Sequence, residues 1–165
     1  MWYAILGAVL LAGDQILKYW VVTHLAVGES APFLPGFMQL TRLHNYGAAW
    51  SSFSGRTVLL VVFTAVLLAV VALLLLKKVV RHWTGVTACT LILSGGIGNI
   101  IDRIVHGYVV DMFDLQLFSY PVFNLADCCV VVGAILCGIY YLFLYEKYDK
   151  KEMESDHAHD PSDPS

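Results

Sequence analysis

Charge is what this chain has least of. Only 14% of its residues are Asp, Glu, Lys or Arg, against 58% hydrophobic ones and a mean hydropathy of +0.69. That balance places the chain in a membrane rather than in water. Its ten Lys and Arg are scattered or sit at the ends of apolar runs, so there is no basic patch for nucleic acid. Several motifs are missing as well. No H-E-x-x-H motif offers a zinc site, and Cys89, Cys128, Cys129 and Cys137 show neither C-x-x-C nor Cys/His ligand spacing. The cysteines read as small apolar packing residues. Ser94 has no histidine near it in the apolar body, since His24, His44 and His106 fall in loops, so a serine nucleophile lacks its base. Gly95-Gly96-Ile97-Gly98 has no preceding strand, as a phosphate loop would require, and reads as small residues for close helix packing. These absences call for no metal and no cofactor.

What is present in quantity is apolar sequence. A hydrocarbon core about 30 Å thick takes about 20 helical residues, and four stretches reach that length, near 2–22, 57–76, 83–104 and 122–145. The second carries no charge and looks like packing, whereas the other three carry polar residues. Lys77, Lys78 and Arg81 mark the loop between the second and third spans as cytoplasmic by the positive-inside bias. Both termini are then cytoplasmic, in agreement with Lys147, Lys150 and Lys151, and 23–56 and 105–121 face outward. The apolar N-terminus has no basic region before it, and Asp14 stands where a lipoprotein signal would need cysteine, so it reads as an uncleaved first span rather than a signal peptide. Of the 13 acids, seven lie in the last 20 residues. Residues 152–165 are expected to be a disordered acidic tail, and 1–151 a single membrane domain.

Acids inside this apolar body carry the functional argument. A carboxylate at the centre of a membrane helix costs roughly 2.5 kcal/mol or more, so such residues usually face partners, water or substrate. Asp111 and Asp127 flank a short Pro-containing turn near the outer surface. Asp14 and Lys18 are four apart on one helix face, as are Asn99 and Arg103, while Asn124 and Asp127 are three apart. Two readings of the supporting residues stay open: an Asp14–Lys18 ion pair with Asn99, Asp102 and Arg103 satisfying one another, or a functional cluster. Asp127 has Asn124 rather than a cation beside it, which favours chemistry for the aspartates. Two close carboxylates share a proton, so the ionised one can deprotonate a water while the protonated one polarises a carbonyl. This is aspartic peptide hydrolysis. A proton-coupled transporter subunit is the rival, but the two halves of the chain show no internal repeat; a noncatalytic scaffold leaves Asp127 unexplained.

Five blocks, in order, resemble the lipoprotein signal peptidases, the bacterial type II signal peptidases. They are Asp14-Gln15 with Lys18; Asn45-Tyr46-Gly47-Ala48-Ala49-Trp50-Ser51; Gly95 through Arg103; Val109-Val110-Asp111-Met112-Phe113; and Phe123-Asn124-Leu125-Ala126-Asp127. The resemblance spans roughly residues 5–145, with Trp50 and Met112 as small departures that keep bulk. It implies an α-helical membrane fold of four transmembrane helices, with a small outward β-cradle drawn mostly from 28–55 and a helical loop over the site at 113–121. It also implies a monomeric enzyme of the bacterial inner membrane that cleaves lipidated prolipoproteins before a diacylglyceryl-modified cysteine, in contact with membrane lipids. Asp111 and Asp127 match the family's catalytic pair. Asp14, Lys18, Asn45, Gly47, Asn99, Arg103 and Asn124 match the polar residues that support the pair or contact substrate.

Overall fold

The computed structural model describes residues 1–47 and 55–150. Ala48, Ala49, Trp50 and Ser51 of the second block, and the tail from 151 onward, lie outside the described residues. Four helices and one small sheet follow in the order α1 (Trp2–His24), β1 (Ser30–Leu34), β2 (Met38–Asn45), α2 (Thr57–Leu76), α3 (Trp83–His106), β3 (Val109–Leu115) and α4 (Leu125–Ile139). Beyond α4 the chain continues in wider π-type turns over Tyr140–Leu144 and Glu146–Lys150. All four helices are long and apolar enough to cross a membrane, the last counted to Leu144. In hydrocarbon each backbone polar group must be satisfied internally, which is why these runs are helical.

Three of the four spans begin where expected, and α1 and α3 each run two residues further. The fourth begins at Leu125 instead of 122. Phe123 is bridged to Phe113 of β3, and Asn124 holds an extended backbone at φ −129° and ψ 178° as the residue before the helix. The bundle is organised around α3, which packs against α1, α2 and α4. Its glycines make this possible. A Cβ at Gly95 would run into the Ala126 carbonyl of α4, and one at Gly96 would lie 2.6 Å from Leu68 of α2. Close approach of this kind is how membrane helices pack without a hydrophobic drive between them. α2 fully buries only Leu68, packs Val71 and Leu75 against the cluster of Val80, Cys89 and Tyr140, and turns most of its other apolar residues outward, as a lipid-facing helix would.

The sheet lies at the end where α1 and α3 finish and α2 and α4 begin. Its order is β1-β2-β3, antiparallel throughout. β1 and β2 form a hairpin whose turn uses Gly36 at φ +74°, a left-handed conformation that suits glycine. β3 adds to β2 from far along the chain, with Met38 opposite Leu115, Leu43 opposite Asp111 and Asn45 opposite Val109, and an irregularity between Leu40 and Leu43. Val110 and Met112 of β3 pack on Val21 of α1 and on Leu25 just after it, fastening the sheet to the bundle. The segment expected as a helical loop, 113–121, is not helical. Phe113–Leu115 complete β3 and the following residues bend without helix, because Phe113 and Phe123 exchange backbone hydrogen bonds of 2.7 and 3.1 Å that hold the turn extended.

At the opposite end Asp149 is buried. Its carboxylate accepts from the Arg81 and His82 amides at 2.8–3.1 Å and from the Tyr140 hydroxyl, tying the end of the α4 segment to the loop before α3.

Candidate active site

Asp111 reaches the site from β3 and Asp127 from the first turn of α4. Asp111 is 1% exposed, and its oxygens accept from the side-chain amides of Asn124 at 2.7 Å and Asn45 at 2.9 Å. Asp127 accepts from the Asn99 amide at 2.8 Å and from the Asn124 backbone N–H at 3.3 Å. The Asn124 side-chain Oδ1 in turn accepts from the Asp127 N–H at 2.8 Å, closing a reciprocal capping box at the start of α4. One asparagine therefore caps the helix that carries one acid and donates to the other acid. The side chains that donate to these carboxylates are neutral amides. Amides orient a carboxylate without fixing its charge as a bound guanidinium would, so the pair stays free to hold one proton between them.

Burial, and then the charge of Asp127, push the Asp111 carboxyl up to about 7, against the pull of the Asn45 and Asn124 amides. Near neutral pH it is thus partly protonated. An acid poised there can donate to a carbonyl while its partner activates water.

Both aspartates line one cavity of about 390 Å³, within the usual range for ligand sites. Asn45, Asn99 and Arg103 share its polar part, and Thr64 of α2, Gly96 of α3 and Val130 and Val131 of α4 form its deeper wall. Tyr120, Pro121, Val122 and Phe123 also line it. The segment preceding α4 therefore contributes to the cavity wall, in extended rather than helical form. α2, which read as packing alone, contributes Thr64 to the wall.

Asp14, Lys18 and Gly47 do not line the cavity, and Arg103 links its wall to Gly47. Arg103 donates to the Gly47 carbonyl at 2.7 Å and to the Asn99 carbonyl at 3.3 Å, while the Gly47 N–H donates to Asn45 Oδ1 at 2.9 Å. Lys18 is 3% exposed, and its ammonium contacts Asp14 at 2.8 Å, Asp102 at 2.9 Å and Asn99 Oδ1 at 3.0 Å. Asp14 and Lys18 do form an ion pair, and that pair is joined through Asn99 to Asp127. Sequence reasoning left Asp102 among residues satisfying their neighbours and did not single out Gln15, which donates to Asp102 at 3.1 Å and to the Gly98 carbonyl at 3.3 Å. The available signal was Asp102 lying three residues from Asn99 on α3. Tyr120 through Phe123 left no signal beyond their apolar character.

Comparison with known proteins identifies the family. The family model for signal peptidase (SPase) II matches residues 6–143. The lipoprotein signal peptidase of Enterococcus faecalis is 40% identical over 149 residues, covering 90% of this chain and 92% of that protein. That of Lactobacillus gasseri is 37% identical over 145 residues, covering 88% and 94%. Two solved structures, each described as a bacterial membrane enzyme, superpose with TM-scores of 0.79 and 0.78 at 32% and 31% identity. They cover 91% and 86% of this chain, and 92% and 93% of their own.

Proposed function

The chain belongs to the signal peptidase II family, a multi-pass membrane peptidase, and on that premise we propose that it removes signal peptides from prolipoproteins by aspartic catalysis. Asp111 and Asp127 are the reacting pair. The observation that carries this reading is that two carboxylates from different elements line one cavity, each oriented by asparagine amides. In the proposed cycle Asp127, ionised, takes a proton from a water. Asp111, protonated, donates to the scissile carbonyl oxygen as the hydroxide adds to its carbon. The tetrahedral intermediate collapses as the amide nitrogen accepts the proton held by Asp127, the C–N bond breaks and one hydroxyl of the intermediate returns its proton to Asp111, so the pair is regenerated and no acyl-enzyme forms. Every atom of the added water ends in the two products.

The substrate is a prolipoprotein carrying a diacylglyceryl-modified cysteine, cut just before that cysteine. The cavity's composition supports this: a polar part with both acids, and an apolar wall between α2 and α4 that suits acyl chain or signal-peptide residues. Arg103 and Asn45 are placed to contact the substrate backbone or lipid head. The proposal takes the enzyme to act as a monomer. The enzyme sits in the bacterial inner membrane with both termini in the cytoplasm and the dyad near the outer face, as Lys77, Lys78 and Arg81 at the opposite end favour. No observation favours a transporter.

The test is incubation of purified protein with a lipidated and an unlipidated precursor. Cleavage of the lipidated one alone is expected, and it should drop by orders of magnitude in Asp111→Asn and in Asp127→Asn, while both variants still bind substrate. The double variant should be little worse than either single one, because the two act as a unit. Near-normal cleavage by either variant, in membranes free of endogenous peptidase, would refute the aspartic assignment.

A further inference from the structure

Behind the cavity the structure repeats one device twice. The Asp14 carboxylate, 1% exposed, accepts from the Ala126 N–H at 2.9 Å. The Asp102 carboxylate, 2% exposed, accepts from the Val110 N–H at 3.0 Å. Each of these amides belongs to the residue immediately before an acid of the dyad, Ala126 before Asp127 and Val110 before Asp111. Both gripping carboxylates bind Lys18, at 2.8 and 2.9 Å, and both accept from Gln15, at 3.2 and 3.1 Å. The third ammonium contact of Lys18 is Asn99 Oδ1, the other end of the amide that donates to Asp127. With three acceptors, the donors of the ammonium are all used, and none of the three groups has room to move independently.

We infer that Asp102 is a further positioning residue: with Asp14 as its counterpart and Lys18 as the cation they share, it sets the separation of the two dyad carboxylates by holding the backbone ahead of each. The inference rests on the dyad reading. Asp102 itself does not line the cavity, so it acts through β3 and not by touching substrate. A burial cost for three ionised groups is expected to be offset only if the geometry is well made, and here each carboxylate also holds a backbone amide. Such a cluster serves geometry more than stability.

Asp102→Glu separates position from charge. It keeps the carboxylate but lengthens the arm by one methylene, so β3 must shift or the Val110 contact must lengthen. A misplacement of about 1 Å at reacting groups costs on the order of 10²-fold in rate. Turnover of the lipidated precursor should therefore fall about 10²-fold in kcat, with KM within about threefold and an unfolding temperature in detergent close to wild type. Asp102→Asn, which retains an oxygen for the Val110 amide, carries the test if the glutamate variant does not fold. It should also lose kcat in preference to KM, because the Oδ2 it retains for Val110 and Lys18 no longer carries charge and the NH2 that replaces Oδ1 faces the Gln15 amide instead of accepting from it. Full kcat in either folded variant overturns the inference, as does a change confined to KM. Loss of turnover that tracks loss of folded protein in both variants also overturns it, leaving Asp102 a fold-holding residue. Asp111→Asn and Asp127→Asn, run alongside, separate the two levels of the argument: activity surviving in those variants removes the dyad itself, whereas activity surviving only in the Asp102 variants removes the clamp alone.

Discussion

Replacing Asp111 by asparagine should abolish turnover and yet stabilise the protein at alkaline pH, a combination that a structural role for the residue would not produce. Asp111 lies on β3, outside the spans, and its carboxyl is pushed from an ordinary value of 3.8 up to about 7 by burial and by Asp127. Between those two values the folded chain keeps a proton that the unfolded chain has released. Stability therefore falls as pH rises through this window. At 1.36 kcal/mol per unit of pKa, a difference of about three units gives an upper bound of roughly 4 kcal/mol at pH 8. Asparagine is neutral and similar in shape, so it removes this penalty. It also turns an NH2 group toward either the Asn45 or the Asn124 amide, and the mismatched contact costs about 1 kcal/mol. A net gain of about 3 kcal/mol is expected at pH 8, shrinking to a slight loss near pH 4. Denaturant unfolding of wild type and variant in the same detergent, at both pH values, measures the difference, which includes the relief of the repulsion between Asp111 and Asp127. A variant less stable than wild type at pH 8, or a difference independent of pH, would refute the reasoning.

Arg103→Lys keeps the charge but loses the planar fork that reaches the Gly47 and Asn99 carbonyls together, and turnover should drop about tenfold or more with normal membrane levels. Gly95→Ala places a methyl against the Ala126 carbonyl and Val130 of α4; a destabilisation of about 1–3 kcal/mol and a parallel loss of activity are expected by thermal unfolding and precursor cleavage. Burial pushes the Asp149 carboxyl up, but the Tyr140 hydroxyl and the Arg81 and His82 amides outweigh it and hold the group below its ordinary value. Its stabilisation is therefore present at neutral pH and lost as pH falls below the usual carboxylate range. Asp149→Asn should lower stability by about 1–3 kcal/mol at pH 7 and leave kcat of the folded protein unchanged. EDTA should not inhibit precursor cleavage, and inhibition reversed by an added divalent cation would show that a metal takes part.

The four spans were legible because length and composition alone specify a membrane helix. The charge-free run Thr57–Leu76 is reproduced residue for residue. Asp111 and Asp127 stood out for the same reason inverted, as carboxylates in a region that penalises them. The start of α4 was harder to read, since Val122 and Phe123 are apolar enough to continue a helix and only the pairing of Phe123 with Phe113 keeps them extended. β3 was harder still. Val109-Val110-Asp111-Met112 is buried on both faces and so lacks the alternation that marks a strand, and its partner β2 lies more than 60 residues earlier. The clamp by Asp14 and Asp102 left no trace in spacing, because its targets are backbone amides, which every sequence carries.

The Asp14 to Ala126 hydrogen bond joins residues 112 positions apart, and this has a consequence for biogenesis. Asp14 and Lys18 leave the ribosome with the first span, Asn45 with the first outer segment, Asn99 with the third span and Asp127 only with the last. Until α4 has inserted, Asp111 lacks both Asn124 and its acidic partner. On the proposed dyad reading, the site is therefore incomplete in any chain whose fourth helix has not yet packed against the glycine face of the third, and that docking is the step that completes it.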